Sequence, residues 1–191
     1  MIGSSKDLVH WSYPNCGSRT NVGVTTTPAG SEKYGSTWDM VAPDFMVDDD
    51  GTVWIVVSLG YYASWHNDSS QNDIMQPYLI KATGLKPGAD PASDPGAQPI
   101  VSYSNAVPIN LPQYDSSHTV TNRIDGSLYK EGNYYYFSVK KDGVTNEIWR
   151  TTNLSLDAVQ NTSNWELLTD DPVTGFEGPS LTKYNGTYYM Y

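Results

Sequence analysis

Short runs of apolar and aromatic residues, separated by polar turns, make up the hydrophobic pattern of this chain. The runs at 53–59, 134–139 and 187–191 are rich in β-branched or aromatic side chains, which is typical of strands. Each follows a Gly preceded by an acid or Asn, a pairing that tight hairpin turns favour, at 50–51, 131–132 and 185–186. Residues 144–171 lack Gly and Pro but show no sustained 3.6-residue apolar period. The pattern therefore predicts hairpins and no long helix.

The hairpins repeat one another along the chain. Aligned, they read APDFMVDDDGTVWIVVS, IDGSLYKEGNYYYFSV and FEGPSLTKYNGTYYMY, each with an acid, a strand, a turn and an aromatic strand. Counting back from the turn glycine places Asp44 and Asp125 at the same position, whereas Glu177 lies two residues further from its glycine. A second motif, IGSSKDL at 2–8, recurs as IWRTTNL at 148–154 and more faintly as LIKATGL at 79–85. The sequence thus contains an internal repeat.

A β-propeller is built from recurring units with aromatic residues at repeated positions, because each blade buries its faces only against its neighbours. A β-sandwich also gives many short strands, but it does not explain the paired repeat. We therefore predict an all-β chain in which residues 1–191 form a single domain, a partial β-propeller with about three to four blades. The chain begins in one outer-strand motif and stops inside a hairpin, so we expect the propeller to be incomplete. Residues 84–99, rich in Pro and Gly, are interpreted as an excursion between blades.

Composition and charge indicate which classes of binding partner are not expected for this chain. The formal net charge is −10 with only 11 Lys plus Arg, so the field should repel phosphate backbones and anionic lipid headgroups. We expect neither a nucleic-acid nor a membrane partner, and no run of about 18 apolar residues is present. Cys16 is the single cysteine, which excludes an internal disulfide and a Cys-based zinc site. The sequence has 15 Tyr and 6 Trp but only 3 Phe. Tyr and Trp combine an aromatic ring with a polar group, which suits partly solvated strand faces and clefts that contact sugars.

Three acids stand near the starts of the inner strands, at Asp44, Asp125 and Glu177. The innermost strands of a propeller converge on a central channel, so acids from different blades can face one cavity. Cleavage of a glycosidic bond needs one protonated carboxyl group and one ionised carboxylate. Burial beside Phe176 and the charge of Asp125 would raise the pKa of Glu177, which suits the proton donor. The alternative is that each acid caps a turn or a strand start.

Four segments of the sequence carry a family resemblance: SKDLVHW at 5–11, APD at 42–44, IDGSL at 124–128 and EGPSL at 177–181. They resemble the successive blade signatures of the family 43 glycoside hydrolases, over nearly the whole chain. The resemblance implies a five-bladed β-propeller that cleaves arabinofuranosides and xylosides with inversion. By this resemblance Glu177 would be the general acid, Asp125 would tune its pKa and orient it, and Asp44 would line the sugar subsite.

The sequence also departs from the family pattern. Val41 stands where the family has Trp before Ala-Pro-Asp, with Trp38 three residues earlier, and Gly126 replaces the usual Pro after the second Asp. The family's general base is an Asp in the first blade, upstream of the segment at 5–11, and some members hold a central cation through a His of the fifth blade. Neither stretch is in this sequence. We therefore expect the 191-residue chain to lack the base and to be inactive by itself.

Aromatic residues around the first hairpin complete the candidate site. Trp38 precedes it, and Tyr62 and Trp65 follow it in a polar loop, where exposed rings could stack on a sugar. Packing between blades is an equal alternative for these rings. The three His residues have no metal-ligand spacing, and the acidic run at 48–51 lacks the pattern of a calcium loop, so no metal and no cofactor are expected.

The resulting hypothesis is an O-glycosyl hydrolase that acts on arabinose- or xylose-containing polysaccharides or oligosaccharides, with a carbohydrate as its partner. Two alternatives stay open: a propeller that binds carbohydrate or protein without cleaving it, and a retaining fructan-type propeller hydrolase. The sequence leaves both an extracellular and a cytoplasmic location open, and it does not indicate an oligomeric state.

Overall fold

The computed structural model describes residues 39–70, 73–83, 102–113, 120, 122–141, 145–170 and 177–191. The strands are β1 (Asp39–Val47), β2 (Val53–Tyr61), β3 (Ile74–Thr83), β4 (Ser102–Tyr103), β5 (Val107–Pro108), β6 (Arg123–Glu131), β7 (Tyr134–Lys141), β8 (Thr145–Thr151), β9 (Glu166–Thr169), β10 (Leu181–Tyr184) and β11 (Thr187–Met190). Short 3₁₀ helices occupy Ala63–His66, Ala158–Gln160 and Thr162–Asn164. The all-β prediction is confirmed for this part of the chain. Within it, no helix has the length and apolar character needed to cross a bilayer.

The strands form two antiparallel meanders and a hairpin. Sheet 1 has the order β1-β2-β3-β4, with β5 also paired to β3, and sheet 2 has the order β6-β7-β8-β9. Strands β10 and β11 pair with each other. The predicted strand runs fall in β2, β7 and β11, and the three predicted glycine turns join β1 to β2, β6 to β7 and β10 to β11. The motif at 5–11, Trp38 and residues 84–99 lie outside the described residues.

The two sheets share one hydrophobic core. Trp54 and Val56 of sheet 1 belong to the same buried cluster as Phe137, Val139 and Trp149 of sheet 2. Full burial of a large apolar side chain contributes about 1.5 to 3 kcal/mol. The opposite face of β2 is buried in a second cluster, so β2 is apolar at nearly every position and does not alternate. This core fixes the relative placement of the two inner hairpins.

The first two hairpins begin with the same backbone irregularity, and a residue of the same backbone conformation precedes the third. The register of β1 against β2 shifts near its beginning, as does that of β6 against β7, which is the mark of a β-bulge. The bulge residue is left-handed, with φ of 48° at Ala42 and 58° at Asp125. Gly178, just before β10, has φ of 59°. Ala42, Asp125 and Gly178 are therefore the equivalent residues of the three hairpins.

These bulges correct the alignment that the turn glycines suggested. Asp44 lies two residues beyond the bulge of β1, whereas Asp125 is itself the bulge residue of β6, and Glu177 comes just before the left-handed Gly178. Asp44 and Asp125 therefore do not occupy the matching positions that the sequence had indicated. The cause is turn length, because the β1–β2 turn is longer than the β6–β7 turn and carries its glycine at the far end.

Consecutive hairpins are joined by a repeated set of contacts at their turns, called here the turn contacts. In each set, a carboxylate at one turn accepts hydrogen bonds from a Lys and a Tyr that face each other across the next hairpin. The two sets are Asp48 with Lys130 and Tyr135, and Glu131 with Lys183 and Tyr188. The second hairpin therefore sits on the first in much the same way as the third sits on the second.

Replacing Asp48 by Asn is expected to weaken the fold by about 1 to 2 kcal/mol near neutral pH, after allowance for solvent screening at the turn. Burial alone raises the pKa of Asp48, but hydrogen bonds from Lys130, Tyr135 and Trp54 lower it from 3.8 to about 2. A carboxyl group with a depressed pKa stabilises the folded state above its unfolded pKa, and this contribution disappears as the pH falls from about 4 to about 2.

Urea unfolding at several pH values between about 2 and about 7 measures this difference. The gap between wild type and Asp48→Asn should be largest near neutral pH and should close in acid. Asp157→Asn is the control, because Asp157 is exposed and its side chain caps nothing. A gap that stays constant over the whole pH range would contradict the assigned role of Asp48.

A buried ion pair fixes the start of the strand that carries Asp125. Arg123 of β6 donates to both carboxylate oxygens of Glu147 in β8, at 2.8 and 3.1 Å. Glu147 is fully buried and also accepts the indole N–H of Trp149 at 2.9 Å. The Arg123 guanidinium donates further to the Pro112 carbonyl at 3.2 Å. Both charges are thus paired and hydrogen-bonded, the condition under which a buried ion pair is tolerated.

Candidate active site

Asp125 and Glu177 come together where β6 begins and the third hairpin starts. Asp125 is the bulge residue, and Asp is one of the few residues other than Gly that tolerate the left-handed conformation. Its Oδ2 accepts the backbone N–H of Gly178 at 3.2 Å. The Asp125 and Glu177 carboxyl groups also act on each other, and this interaction shifts the pKa of both. The bulge of the second hairpin is therefore bonded directly to the segment that begins the third.

Lys140 approaches this pair from the buried side. Its Nζ lies 2.5 Å from Oε1 of Glu177. The Lys140 side chain is only 8% exposed, whereas that of Glu177 is 76% exposed. Lys140 stands in β7 opposite Ile124, the residue before Asp125. The site thus contains two carboxyl groups and one ammonium group, and Glu177 is the member that faces solvent.

The pKa values of the two carboxyl groups shift in opposite directions. The hydrogen bond from Lys140 lowers the pKa of Glu177, and the interaction with Asp125 lowers it further. Burial raises the pKa of Asp125, and the neighbouring Glu177 adds to this against the lowering effect of the Gly178 N–H. Of the two carboxyl groups, Asp125 is therefore the one that is protonated more readily. The expectation that Glu177 has a raised pKa is wrong here, because Glu177 is exposed and bonded to a cation.

The loop after β2 carries Tyr62 and Trp65. Their ring centroids are 5.1 Å apart, and Trp65 is 59% exposed. Burial raises the pKa of the Tyr62 phenol, and Asp73, the carboxyl pair and Lys140 also act on it electrostatically. The Tyr62 phenol therefore lies within electrostatic reach of Asp125 and Glu177, and Trp65 contacts Tyr62.

A buried acid holds this loop in place. Asp39 accepts the Tyr62 N–H at 2.7 Å, and Nε2 of His66 lies 2.9 Å from its Oδ2. The His66 ring stacks on Tyr61 with 4.8 Å between ring centroids. These contacts secure the backbone around Tyr62 and Trp65 through groups of the chain itself. His66 therefore has a structural role in the loop.

Two predicted residues are not placed at the pair. Asp44 is half-buried in β1, and its carboxylate forms no hydrogen bond with the other described residues. Counted from the bulge, its equivalent in sheet 2 is Ser127, whose hydroxyl lies 3.3 Å from that of Ser180. The role of Asp44 in a sugar subsite stays a prediction. Trp38 lies outside the described residues.

Lys140 belongs to the site but lies outside the sequence motifs, so it was not predicted. Along β7, Phe137 and Val139 point into the core, while Ser138 and Lys140 lie on the other face. The Ser138 hydroxyl donates at 2.6 Å to the carbonyl of Pro179, which is two residues after Glu177 in the chain. The sequence feature that could have identified Lys140 is the alternation of side chains along a strand, because this alternation places Lys140 on the face opposite the core.

A cavity of about 300 Å³ lies near these residues but does not include Asp125 or Glu177. Its lining includes Met75, Gln76, Ile109, Asn110 and Arg123. Its polar groups largely bond to each other, as in the 2.8 Å hydrogen bond from Gln76 to Asn110. Within the described ranges, no three His, Cys, Asp or Glu side chains are grouped so as to hold a metal ion.

The site therefore offers a carboxyl group with a raised pKa, a solvent-facing carboxylate and an ammonium group, with the Tyr62 phenol in electrostatic reach. Such groups suit a ligand rich in hydroxyls, because charged groups bond hydroxyls and rings stack on the apolar face of a sugar. Comparison with family models, with curated proteins and with solved structures gave no match for this chain. The function is accordingly argued from the geometry of the site.

Proposed function

We propose that this chain belongs to an inverting glycoside hydrolase with a five-bladed β-propeller fold, acting on arabinose- or xylose-containing polysaccharides or oligosaccharides. The observation that carries the proposal is the approach of Asp125 to the segment that carries Glu177, two acids from distant parts of the chain whose carboxyl groups act on each other, with the Tyr62 phenol within electrostatic reach. The substrate class and the inversion rest on the resemblance to family 43 glycoside hydrolases.

The stacking of the hairpins supports a propeller over a sandwich. A sandwich consists of two packed sheets. Here the third hairpin also approaches sheet 2, through the bonds from Ser138 to Pro179 and between Ser127 and Ser180. The turn contacts repeat from the first hairpin to the third. A succession of hairpins in one repeated relation is how the blades of a propeller follow one another.

The contact between Asp125 and Glu177 constrains the mechanism. An inverting enzyme needs its acid and base about 6.5 to 9.5 Å apart, so that a water molecule fits beside the sugar. The close approach of the two carboxyl groups leaves no such room, so Asp125 and Glu177 act together on one side as the proton-donating unit. The proposal therefore assigns the base to a third carboxylate, which the resemblance places outside the described residues.

Glu177 delivers the proton in this mechanism because it is the exposed member of the pair. A sugar lying over Glu177 removes water from the carboxylate, which disfavours the charged form and raises its pKa. A proton on Asp125 then moves to Glu177. From Glu177 it passes to the glycosidic oxygen as the C–O bond breaks, with the electron pair staying on oxygen. Water attacks the anomeric carbon and gives its proton to the base.

One observation favours a second candidate, a domain that binds carbohydrate without cleaving it. Lys140 keeps Glu177 in its ionised form in this structure, and an ionised carboxylate accepts hydrogen bonds but has no proton to give. With the exposed ring of Trp65 beside Tyr62, such a carboxylate would hold a sugar by its hydroxyls and its apolar face.

Assays of the 191-residue chain on aryl arabinofuranosides and aryl xylosides separate these functions. We expect little turnover in water and at least about a tenfold increase with added azide or formate, because an anionic nucleophile needs no base to activate it. The anomeric configuration of the product, read by NMR, distinguishes inversion from the retention of a fructan-type enzyme.

Sugar binding is measured in parallel by intrinsic tryptophan fluorescence with arabino- and xylo-oligosaccharides. Trp65→Ala should weaken binding about tenfold or more, through loss of ring stacking. Binding without turnover under either nucleophile would select the second candidate. The absence of both binding and turnover would contradict both candidates.

A further inference from the structure

We propose that Lys140 is the positioning residue of the carboxyl pair: its ammonium group holds the Glu177 carboxylate beside Asp125 and determines which of the two carries their shared proton. The catalytic meaning of this inference rests on the proposed function, whereas the contact itself does not. None of the sequence motifs contains Lys140, and the resemblance assigns it no role.

Because Lys140 is buried, its ammonium group needs the contact with the Glu177 carboxylate. The residue is 6% exposed, and its Nζ is 2.5 Å from Oε1 of Glu177. An enclosed ammonium group requires an anionic or polar partner, because its charge is otherwise desolvated without compensation. Glu177 is mostly exposed and could turn toward solvent. The fixed member of the contact is therefore Lys140, and the member that it positions is Glu177.

The place of Lys140 in sheet 2 explains how it reaches the pair. In β7 it stands opposite Ile124 of β6 on one side and Asn146 of β8 on the other, so it projects from the middle of the sheet beside the bulge. Ser138, on the same face, binds the Pro179 carbonyl. Two successive residues on this face of β7 thus dock the segment that carries Glu177.

The titratable and charged groups that act on one another here come from several elements. They are Asp125 from β6, Lys140 from β7, Glu177 from the segment before β10, Tyr62 from the loop after β2 and Asp73 from the start of β3. Lys140 supplies the positive charge of this group. Without it, Glu177 and Asp125 are two acids in contact, and the proton distributes toward Glu177.

The test compares Lys140→Met with Lys140→Arg by following the carboxyl ¹³C resonances of Asp125 and Glu177 against pH, with no substrate present. Met keeps an apolar stem of similar length, and Arg keeps the charge. We expect the Glu177 midpoint to rise by about one pH unit or more in Lys140→Met and to change much less in Lys140→Arg. Lys130→Met removes the same charge from a turn contact of the same sheet and should leave the Glu177 midpoint unchanged.

An unchanged Glu177 midpoint in folded Lys140→Met would overturn the proposal. If circular dichroism shows that this variant does not fold, the unaltered chain provides the answer through ¹⁵N-labelled lysine. The Lys140 Nζ resonance should then move in step with the titration of Glu177, and a resonance that ignores this titration would equally overturn the proposal. These titrations need no turnover, so failure of the hydrolysis assay does not affect them. Turnover combined with an unshifted midpoint would reject Lys140 and keep the proposed function.

Discussion

Glu177→Gln is expected to slow cleavage of substrates with poor leaving groups by about 10² to 10⁴-fold and to leave sugar binding nearly unchanged. Gln keeps the shape of the side chain and can still accept a hydrogen bond from Lys140, but it has no acidic proton to transfer. The loss should be smaller for activated aryl glycosides, because their leaving groups depart with little protonation. Initial rates on both kinds of substrate, measured with azide as nucleophile, provide the comparison.

The matched control for this change is Glu166→Gln. Glu166 is an exposed acid of β9 that pairs with Arg150 at 2.6 Å, and its replacement should leave the rates unchanged. If Glu177→Gln retains wild-type rates on unactivated substrates, Glu177 is a structural residue of the segment before β10 and the proton donor is another group.

Glu147→Gln is expected to destabilise the fold by about 3 to 5 kcal/mol. The change leaves the Arg123 guanidinium buried without its counter-charge, and Glu147 is fully buried in the present packing. Glu166→Gln again serves as the control, because the pair of Glu166 with Arg150 is exposed and screened by solvent. Urea unfolding measures the free energy of unfolding of both variants relative to wild type, provided that the m-values are unchanged.

A double substitution tests whether the effect comes from an unpaired charge. Arg123→Met combined with Glu147→Leu removes both charges, and buried pairs replaced in this way are often neutral or more stable. The double variant should therefore be more stable than Glu147→Gln alone. If Glu147→Gln lies within about 1 kcal/mol of wild type, the pair is accessible to water and does not anchor the start of β6.

The hairpins could be predicted from the sequence because their signals are local. A Gly after an acid or Asn sets each turn, and the aromatic and β-branched runs set the following strands. The sequence also singled out Asp125 and Glu177, which come from distant segments and lie close together in the structure. The equivalence of Asp44 with Asp125 was wrong, because turns of different length place their glycines at different distances from the bulge.

The electrostatics of the site could not be predicted in the same way. Whether Glu177 is buried or exposed, and which cation it meets, depends on how the third hairpin docks on sheet 2. Such contacts join residues far apart in the chain, and no local pattern encodes them. The pKa directions of Asp125 and Glu177 therefore followed only from the three-dimensional arrangement.

Each hairpin begins near a residue in the left-handed conformation, which in the first two hairpins is the extra residue of a bulge. One backbone conformation accommodates a methyl group at Ala42, a carboxyl group at Asp125 and no side chain at Gly178. The extra residue of a bulge stands outside the regular ladder, so its side chain can be exchanged without altering how the strands pair. Each repeat thus contains one position at which evolution can install or delete a functional group by a single substitution, while the surrounding architecture is inherited unchanged.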